Sequence, residues 1–158
     1  MYIMGKTYDS EKEVSNEISE QLKNEIFLFI RNWKKSRAWL MTRRKDSREI
    51  MRPVGSFINQ DWSVGTITQD LHLKTKHIQN DSITGYLWIE VDNPRYGRLD
   101  FPRNIWMQGQ AEVLDDENLV NEFFSKRSAA TGRGDAHPQD NTYKRMLINT
   151  RPQYLRAE

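Results

Sequence analysis

Hydrophobic residues recur at two spacings along this chain, and the spacings predict which segments are helices and which are strands. Apolar residues lie three or four positions apart between Val14 and Ile30, which predicts an amphipathic helix. Ser10 followed three residues later by Glu13 is a capping-box pattern. The helix is therefore expected to begin at Ser10, to end near Trp33 and to pack its apolar side on a core.

Runs rich in β-branched and aromatic residues, separated by turn formers, predict strands in most of the remaining chain. The predicted strands are residues 38–42, 49–58, 62–68, 83–91, 104–114 and 143–150. Gly109, inside the fifth strand, is expected to mark a bulge or a close backbone approach. Pro152 is expected to keep residues 153–156 from extending the last strand, because proline cannot donate a hydrogen bond within a sheet.

Two shorter helices are predicted between the strands. One covers residues 69–80, and the other follows a cap at Asp115 or Asp116 and packs Leu119, Val120, Phe123 and Phe124 on the core. Six strands without regular alternation of strand and helix indicate a mainly β, α+β protein, a six-stranded antiparallel barrel with short peripheral helices. A chain of 158 residues is expected to form one domain, with residues 1–34 as an N-terminal helix and 37–156 as the barrel.

The second and third predicted strands form a hairpin that gathers candidate anion-binding side chains. A three-residue turn centred on Gln60 would pair Arg52 with Thr68 and Val54 with Thr66. Because side chains alternate along a strand, the guanidinium and the threonine hydroxyls would then share one face. A strand face with a guanidinium and hydroxyl groups favours the binding of an anion.

Lys74 follows this hairpin, in or near the first turn of the next predicted helix. Unpaired backbone N–H groups at a helix N-terminus also favour an anion, so we predict a phosphate site formed with Arg52. An ordinary solvated strand face is the alternative. A second place for the phosphate would be Arg43, Arg44 and Arg48, in a predicted turn.

Composition limits the classes of function. The 24 Lys and Arg residues nearly match the 22 Asp and Glu residues, for a net charge of +2, which favours a local anion site over a nucleic-acid interface. No cysteine is present, which excludes disulfides, thiol nucleophiles and zinc–thiolate sites. The sequence contains no apolar run long enough to cross a membrane and no signal-peptide pattern, so we expect a cytoplasmic protein that does not bind membranes.

Aromatic content points to an oligomer. Hydrophobic residues make up only 37% of the chain, yet it has five Trp, six Tyr and six Phe. Large aromatic side chains in a short, polar chain are often buried between subunits. We therefore expect an oligomer.

The longest polar, glycine-bearing stretch covers residues 126–141 and contains Arg133, Asp135 and His137. Long loops in compact domains are often functional. His137 and Asp135 could act as a general acid and base, although a solvent-exposed histidine is the simpler interpretation.

Five short motifs follow one another along the chain: Trp-Leu-Met-Thr at 39–42, Arg-Pro-Val at 52–54, Val-Gly-Thr-Ile-Thr at 64–68, His-Ile-Gln-Asn at 77–80 and Trp-Met-Gln-Gly-Gln-Ala-Glu-Val at 106–113. Their order resembles the FMN-binding split barrel of the pyridoxamine 5′-phosphate oxidase-like superfamily. The resemblance implies a split barrel in which Arg52, Thr68 and Lys74 hold the flavin phosphate. The cofactor-binding residues it implies are Arg52, Pro53, Val54, Thr66, Ile67, Thr68, Leu73, Lys74 and Asn104.

The resemblance also implies an FMN-dependent oxidoreductase that acts as a homodimer on a small-molecule substrate, with NADH or NADPH as a possible electron donor. The loop of residues 132–137, with Arg133 and His137, is expected to lie over the flavin ring, and no side chain is identified as catalytic. Leu73 and Phe57 replace cations often found in the oxidases proper, and their usual C-terminal motif is missing, which argues against vitamin B6 oxidation. The alternatives are a deazaflavin-dependent reductase and a non-catalytic flavin-binding or stress protein. A barrel that binds single-stranded nucleic acid is less compatible with the charge balance.

Overall fold

The computed structural model describes residues 2–5, 20–91, 102–134 and 142–157. Within these ranges the helices are α1 (Glu20–Arg31), α2 (Leu73–Asn80) and α3 (Glu117–Thr131). The strands are β1 (Tyr2–Gly5), β2 (Ser36–Arg43), β3 (Glu49–Val54), β4 (Phe57–Ile58), β5 (Val64–Gln69), β6 (Ile83–Glu90), β7 (Asn104–Leu114) and β8 (Arg145–Ala157). No described helix is both long enough and apolar enough to cross a membrane.

A curled sheet with three peripheral helices forms the described part of the chain, and this confirms the mainly β, α+β class. Seven strands follow one antiparallel path, in the order β3-β2-β6-β7-β8-β5-β4, and β1 adds to β8 in parallel. The predicted number of six strands is wrong. The predicted strand 49–58 is divided into β3 and β4, and these two strands lie at opposite ends of the path.

Gly55 and Ser56, the two residues between β3 and β4, connect the two edges of the sheet. Strands so close in sequence can occupy opposite ends of a seven-strand path only if the sheet curls until its edges approach each other. The result is a half-barrel whose open side lies at these residues. We call this stretch, Gly55–Ser56 with its flanking strand ends, the seam.

The predicted hairpin is present but has a different register. β4 pairs with β5 through Phe57 opposite Gly65 and Ile58 opposite Val64, so the turn is centred one residue later than predicted. The backbone N–H of Asn59 donates to the carbonyl of Ser63 at 2.8 Å. Trp62 closes the turn in the left-handed region, with φ of 69°, as three-residue hairpin loops require.

The predicted pairing of Arg52 with Thr68 and of Val54 with Thr66 is therefore wrong. Arg52 lies on β3 and faces Leu40 of β2. Thr68 lies on β5 and faces Met146 of β8. The chain leaves the hairpin at the seam, so β3 joins the other edge of the sheet.

The barrel interior and α1 form one apolar core. The largest fully buried side chains in it include Trp88, Tyr86, Leu40, Ile58, Met107, Ile148 and Leu155. Ile26, Phe27 and Ile30 cover this core from α1. Burial of each large apolar side chain contributes about 1.5–3 kcal/mol. The predicted part of this helix before Glu20 lies outside the described residues.

β8 continues to Ala157, so the expectation that Pro152 stops it is wrong. Pro152 lies opposite Gly109, and the register of β7 and β8 shifts between Gln108 and Gly109. A Cβ atom on Gly109 would lie 2.2 Å from the carbonyl oxygen of Arg151. Both interpretations of Gly109, a bulge and a close approach, are confirmed, and the irregularity admits a proline within the sheet.

Helices α2 and α3 differ from the predicted ones in three respects, two of which are boundaries and one the exposure of a side chain. The side chain of Asp116 caps α3 by accepting from the backbone of Asn118 and Leu119, but Leu119 itself is 48% exposed. α3 continues to Thr131 and ends at Gly132, whose φ is 66°, so the loop predicted from residue 126 begins later. α2 begins at Leu73 because Gln69 still belongs to β5.

Candidate cofactor site at the barrel seam

A pocket of about 240 Å³ lies at the seam, between the end of β3, the end of β5 and the start of α2. We call it the seam pocket. It brings together seven residues that the sequence predicted as site residues: Pro53, Val54, Thr66, Ile67, Thr68, Lys74 and Arg133. The predicted segments thus converge although the predicted strand pairing does not occur.

The seam pocket is lined by positive charge. Its cationic residues are Lys74, Arg127, Arg133 and Arg145. Of the residues that the structure describes, those that line the pocket include no aspartate or glutamate. Such a lining favours an anionic ligand, because clefts lined by one sign of charge concentrate ions of the opposite sign.

His72, at the N-cap of α2, connects the end of β5 with Lys74. Its Nδ1 atom lies 3.0 Å from Thr68 Oγ1 and 2.9 Å from Lys74 Nζ. An ammonium group only donates hydrogen bonds, so Nδ1 acts as the acceptor. These contacts hold the ammonium beside the Thr68 hydroxyl, at the helix end where unpaired N–H groups favour an anion.

Lys74 and Arg52 are neighbouring cations. Burial lowers the pKa of Lys74 from its ordinary value of 10.5, and the positive charge of Arg52 lowers this pKa further. Arg52 does not line the pocket. Its Nη1 atom donates to Thr42 Oγ1 at 3.1 Å, and that hydroxyl also lies 3.1 Å from Nδ1 of His77. A bound anion near Lys74 would offset the repulsion between the two cations.

The two threonines of β5 have different surroundings. Thr66 is 1% exposed, and its Oγ1 atom lies 2.9 Å from the Tyr86 hydroxyl in the barrel interior. Burial raises the pKa of Tyr86 to about 12, so this phenol is neutral at physiological pH. The Thr66 hydroxyl is engaged in the core, whereas the Thr68 hydroxyl lies at the pocket beside His72.

Three predicted cofactor-binding residues, Arg52, Leu73 and Asn104, do not line the seam pocket. Leu73 is 61% exposed, and Asn104 begins β7 opposite Ile89. His137 lies outside the described residues, so the expectation that it covers a flavin ring stays a prediction. Arg133 does line the pocket.

Sequence reasoning missed six lining residues: Gly55, Gln69, His72, Arg127, Tyr143 and Arg145. Gly134, which also lines the pocket, belongs to the loop predicted to cover the flavin ring. The position of Arg127 could have been predicted from helical spacing. It lies four positions after Phe123 and seven after Val120, on the apolar side of α3. It is only 8% exposed. Arg145 gives no such signal, because it reaches the pocket only through the pairing of β8 with β5.

In the part of the chain that the structure describes, no group of three or more His, Asp or Glu side chains could hold a metal ion.

Comparisons with known proteins give matches among solved structures. No protein-family model matches this chain, and no curated protein matches it. General stress protein 26 from Bacillus anthracis str. Sterne matches at 22% identity and a TM-score of 0.60, covering 87% of this chain and 93% of that protein. A pyridoxamine 5′-phosphate oxidase-related, FMN-binding protein from Nostoc punctiforme matches at 12% identity and a TM-score of 0.55, covering 85% and 81%. An F420 reductase matches at 18% identity and a TM-score of 0.58, covering 75% and 87%.

These matches extend over most of the chain, and identities this low establish the fold alone. The strand order, the seam and the matched structures agree with the resemblance found in the sequence motifs. The chain has the same split-barrel fold as these matched structures.

Proposed function

We propose that the protein binds FMN in the seam pocket and is an FMN-dependent oxidoreductase that acts on a small molecule. The observation that carries the proposal is the pocket lining, which combines Lys74, Arg133 and Thr68 and includes no acidic residue among the residues that the structure describes. A phosphate monoester is a dianion near neutral pH and suits such a site. The FMN-binding protein from Nostoc punctiforme, which has the same fold, supports the choice of cofactor.

Lys74 and Thr68 would hold the phosphate through hydrogen bonds, with Arg52 supplying further positive charge. Charge-assisted hydrogen bonds of this kind contribute about 1.5–3 kcal/mol each. Pro53, Val54 and Ile67 offer apolar surface for a ring system at the same pocket. FMN, when bound, supplies the redox chemistry. The protein's own contribution is therefore anchoring, orientation and a substrate pocket.

A deazaflavin cofactor is the second candidate, because an F420 reductase has the same fold. The absorbance spectrum of the purified protein separates the two, since FMN and the deazaflavin absorb at different wavelengths. A flavin-binding protein without catalysis is the third candidate, and the general stress protein among the matches is compatible with it. Turnover of the bound flavin with NADH or NADPH separates an enzyme from a carrier.

We also propose that the protein is a homodimer. Four apolar residues form a row of cross-strand neighbours over β3, β2, β6 and β7: Pro53, Trp39, Leu87 and Trp106. Trp39 is 36% exposed, and the ring of Trp106 occupies the space where a Cβ atom of Gly85 would lie. A second copy could cover this row by a symmetric contact. Light scattering that shows a stable monomer with flavin bound would contradict the proposal.

The binding test compares FMN with riboflavin, which has the same ring but no phosphate. We expect FMN to bind at least tenfold more tightly, because only FMN can use the cations of the seam pocket. Quenching of flavin fluorescence measures both affinities. Equal affinities would mean that the phosphate does not bind in this pocket.

A further inference from the structure

A second, smaller cavity of about 40 Å³ lies on the other side of the seam. Its polar and aromatic lining consists of Trp33, Ser36, Arg37, Ser56, Trp88 and Arg133. Arg133 and Val54 line both this cavity and the seam pocket. A ligand in the seam pocket therefore has this cavity as its neighbour.

Arg133 is held in a defined position between the two cavities. Its guanidinium carbon lies 4.9 Å from the centre of the Trp33 ring, a distance that permits a cation–π interaction. The Trp33 ring is itself fixed, since its Nε1 atom donates to the carbonyl of Thr131 at 3.3 Å. A Cβ atom on Gly55 would lie 3.2 Å from Arg133 Nη2, so the absence of a side chain at Gly55 gives the guanidinium its space.

Arg37 places a second positive charge at this cavity. Its Nη1 atom donates to the Trp33 carbonyl at 2.7 Å. Burial lowers the pKa of Arg133, and the charge of Arg37 lowers it further. Arg133 therefore lies beside a like charge, as Lys74 lies beside Arg52 on the other side of the seam. A partly buried cation with a cationic neighbour marks a place where an anion would be stabilising.

Ser56 adds a neutral donor to the same cavity. Its Oγ atom accepts a hydrogen bond from Trp88 Nε1 at 3.0 Å. A serine hydroxyl has one proton to donate in addition to its acceptor positions, so this proton can go to a ligand. Two guanidinium groups and one hydroxyl form a donor set suited to the oxygens of a carboxylate or a phosphate.

We propose that Arg37, Arg133 and Ser56 form a second anion site, separate from the phosphate site at Lys74, and that it binds an anionic group of the substrate. The substrate class would then be small molecules that carry a carboxylate or a phosphate. The assignment of this anion to a substrate rests on the proposed function, in which the cofactor occupies the seam pocket. The existence of the second site does not depend on it.

Titration calorimetry with inorganic phosphate tests the proposal on the full-length protein, with and without saturating FMN. Without FMN, we expect phosphate to bind at both sites; with FMN, we expect one phosphate site to persist. Arg37→Gln should weaken that FMN-insensitive site by about tenfold or more, because a hydrogen bond to a charged group is lost. Arg37 does not line the seam pocket, so FMN affinity should be unchanged in this variant, which also shows that the variant is folded.

Two further variants control the result. Lys74→Gln should remove the phosphate site that FMN competes for and leave the FMN-insensitive site in place. Arg48→Gln removes one positive charge from an exposed turn and should change neither site.

The outcomes for the second site and for the cofactor are separable. If no FMN-insensitive phosphate binds, or if Arg37→Gln and Arg133→Gln bind it as tightly as the wild type, the second site is refuted while the cofactor proposal stands. If FMN fails to bind but the Arg37-dependent phosphate site is present, the proposed function is refuted and the second site stands.

Discussion

Two regions of this molecule are rich in positive charge, and they differ in how that charge is balanced. Arg43 ends β2 and Arg44 and Arg48 lie in the turn that follows it, and each of the three has a carboxylate nearby. Arg43 Nη1 lies 3.3 Å from Asp81, Arg44 Nε lies 3.4 Å from Asp46, and Arg48 Nη2 lies 2.6 Å from the same Asp46. Exposed ion pairs of this kind contribute little to stability, and they need no ligand.

At the seam, the charged groups that lower the pKa of Lys74 and of Arg133 are themselves cations. Arg52 lowers the pKa of Lys74, and Arg37 lowers that of Arg133. Partly buried like charges repel and lose hydration, and this arrangement is typical of sites where a ligand supplies the missing opposite charge. The number of basic residues therefore does not locate the anion site, whereas the identity of their charged neighbours does.

The largest expected effect contrasts one cation from each region. Lys74→Gln should weaken FMN binding by about tenfold to a hundredfold, because a charge-assisted hydrogen bond to the phosphate is lost. Arg48→Gln should leave FMN affinity unchanged. Riboflavin should bind equally to the wild type and to both variants, since it has no phosphate. Fluorescence titration of both ligands measures the difference.

Two outcomes would contradict this contrast. If Lys74→Gln weakened riboflavin as much as FMN, Lys74 would act through the fold. If Arg48→Gln weakened FMN more than Lys74→Gln does, the phosphate would bind at the turn instead.

The next effect is the dependence of FMN affinity on pH. The phosphate gains its second negative charge at about pH 6, so affinity should rise through that value. It should fall again as the pH passes the pKa of Lys74, which burial and Arg52 hold below 10.5. Lys74→Arg should abolish the loss of FMN affinity at high pH that is due to Lys74, because an arginine stays protonated. A loss that persists in this variant would come from ionisation of the flavin. Identical alkaline profiles for the wild type and Lys74→Arg would show that Lys74 does not titrate against the phosphate.

The smallest effect is on the stability of the ligand-free protein. The folded state binds the Lys74 proton less tightly than the unfolded state does, so the free energy of unfolding should rise with pH in the window just below 10.5. Lys74→Gln should remove that rise and should stabilise the ligand-free protein at neutral pH by less than about 1 kcal/mol. Arg48→Gln should change neither the rise in stability with pH nor the stability at neutral pH. Denaturant unfolding at two pH values measures these differences in stability. A loss of stability in Lys74→Gln would show that the contact of Lys74 with His72 outweighs the repulsion between Lys74 and Arg52.

Local patterns predicted those parts of the fold that depend on neighbouring residues. The bounds of β7, the cap at Asp116 and the irregularity at Gly109 follow from short-range geometry, and the structure has all three. Thr68 and Lys74 were also predicted to lie together, because the end of a strand and the start of the next helix are close in any arrangement of the sheet.

The pairing of strands that are distant along the chain could not be predicted from the sequence. Hairpin geometry applied to residues 52–68 assumed one continuous strand, but the chain breaks at Gly55 and joins two different edges of the sheet. Arg145 and Tyr143 reach the pocket only because β8 pairs with β5, and no local spacing encodes that contact. The pattern of hydrophobic residues fixes which face of a strand is buried, but it does not identify the neighbouring strand.

The position of β8 has a consequence for the order of folding. β8 forms hydrogen bonds with β7 on one side and with β5 on the other, and it is the last strand along the chain. Until β8 has been synthesised and inserted, no strand connects β5 with β7. The β4–β5 hairpin therefore cannot approach β3 before that point. Such non-local contacts raise the contact order and slow folding. During translation the earlier strands would emerge with β5 and β7 unpaired on these sides, and the seam would be completed only once β8 is in place.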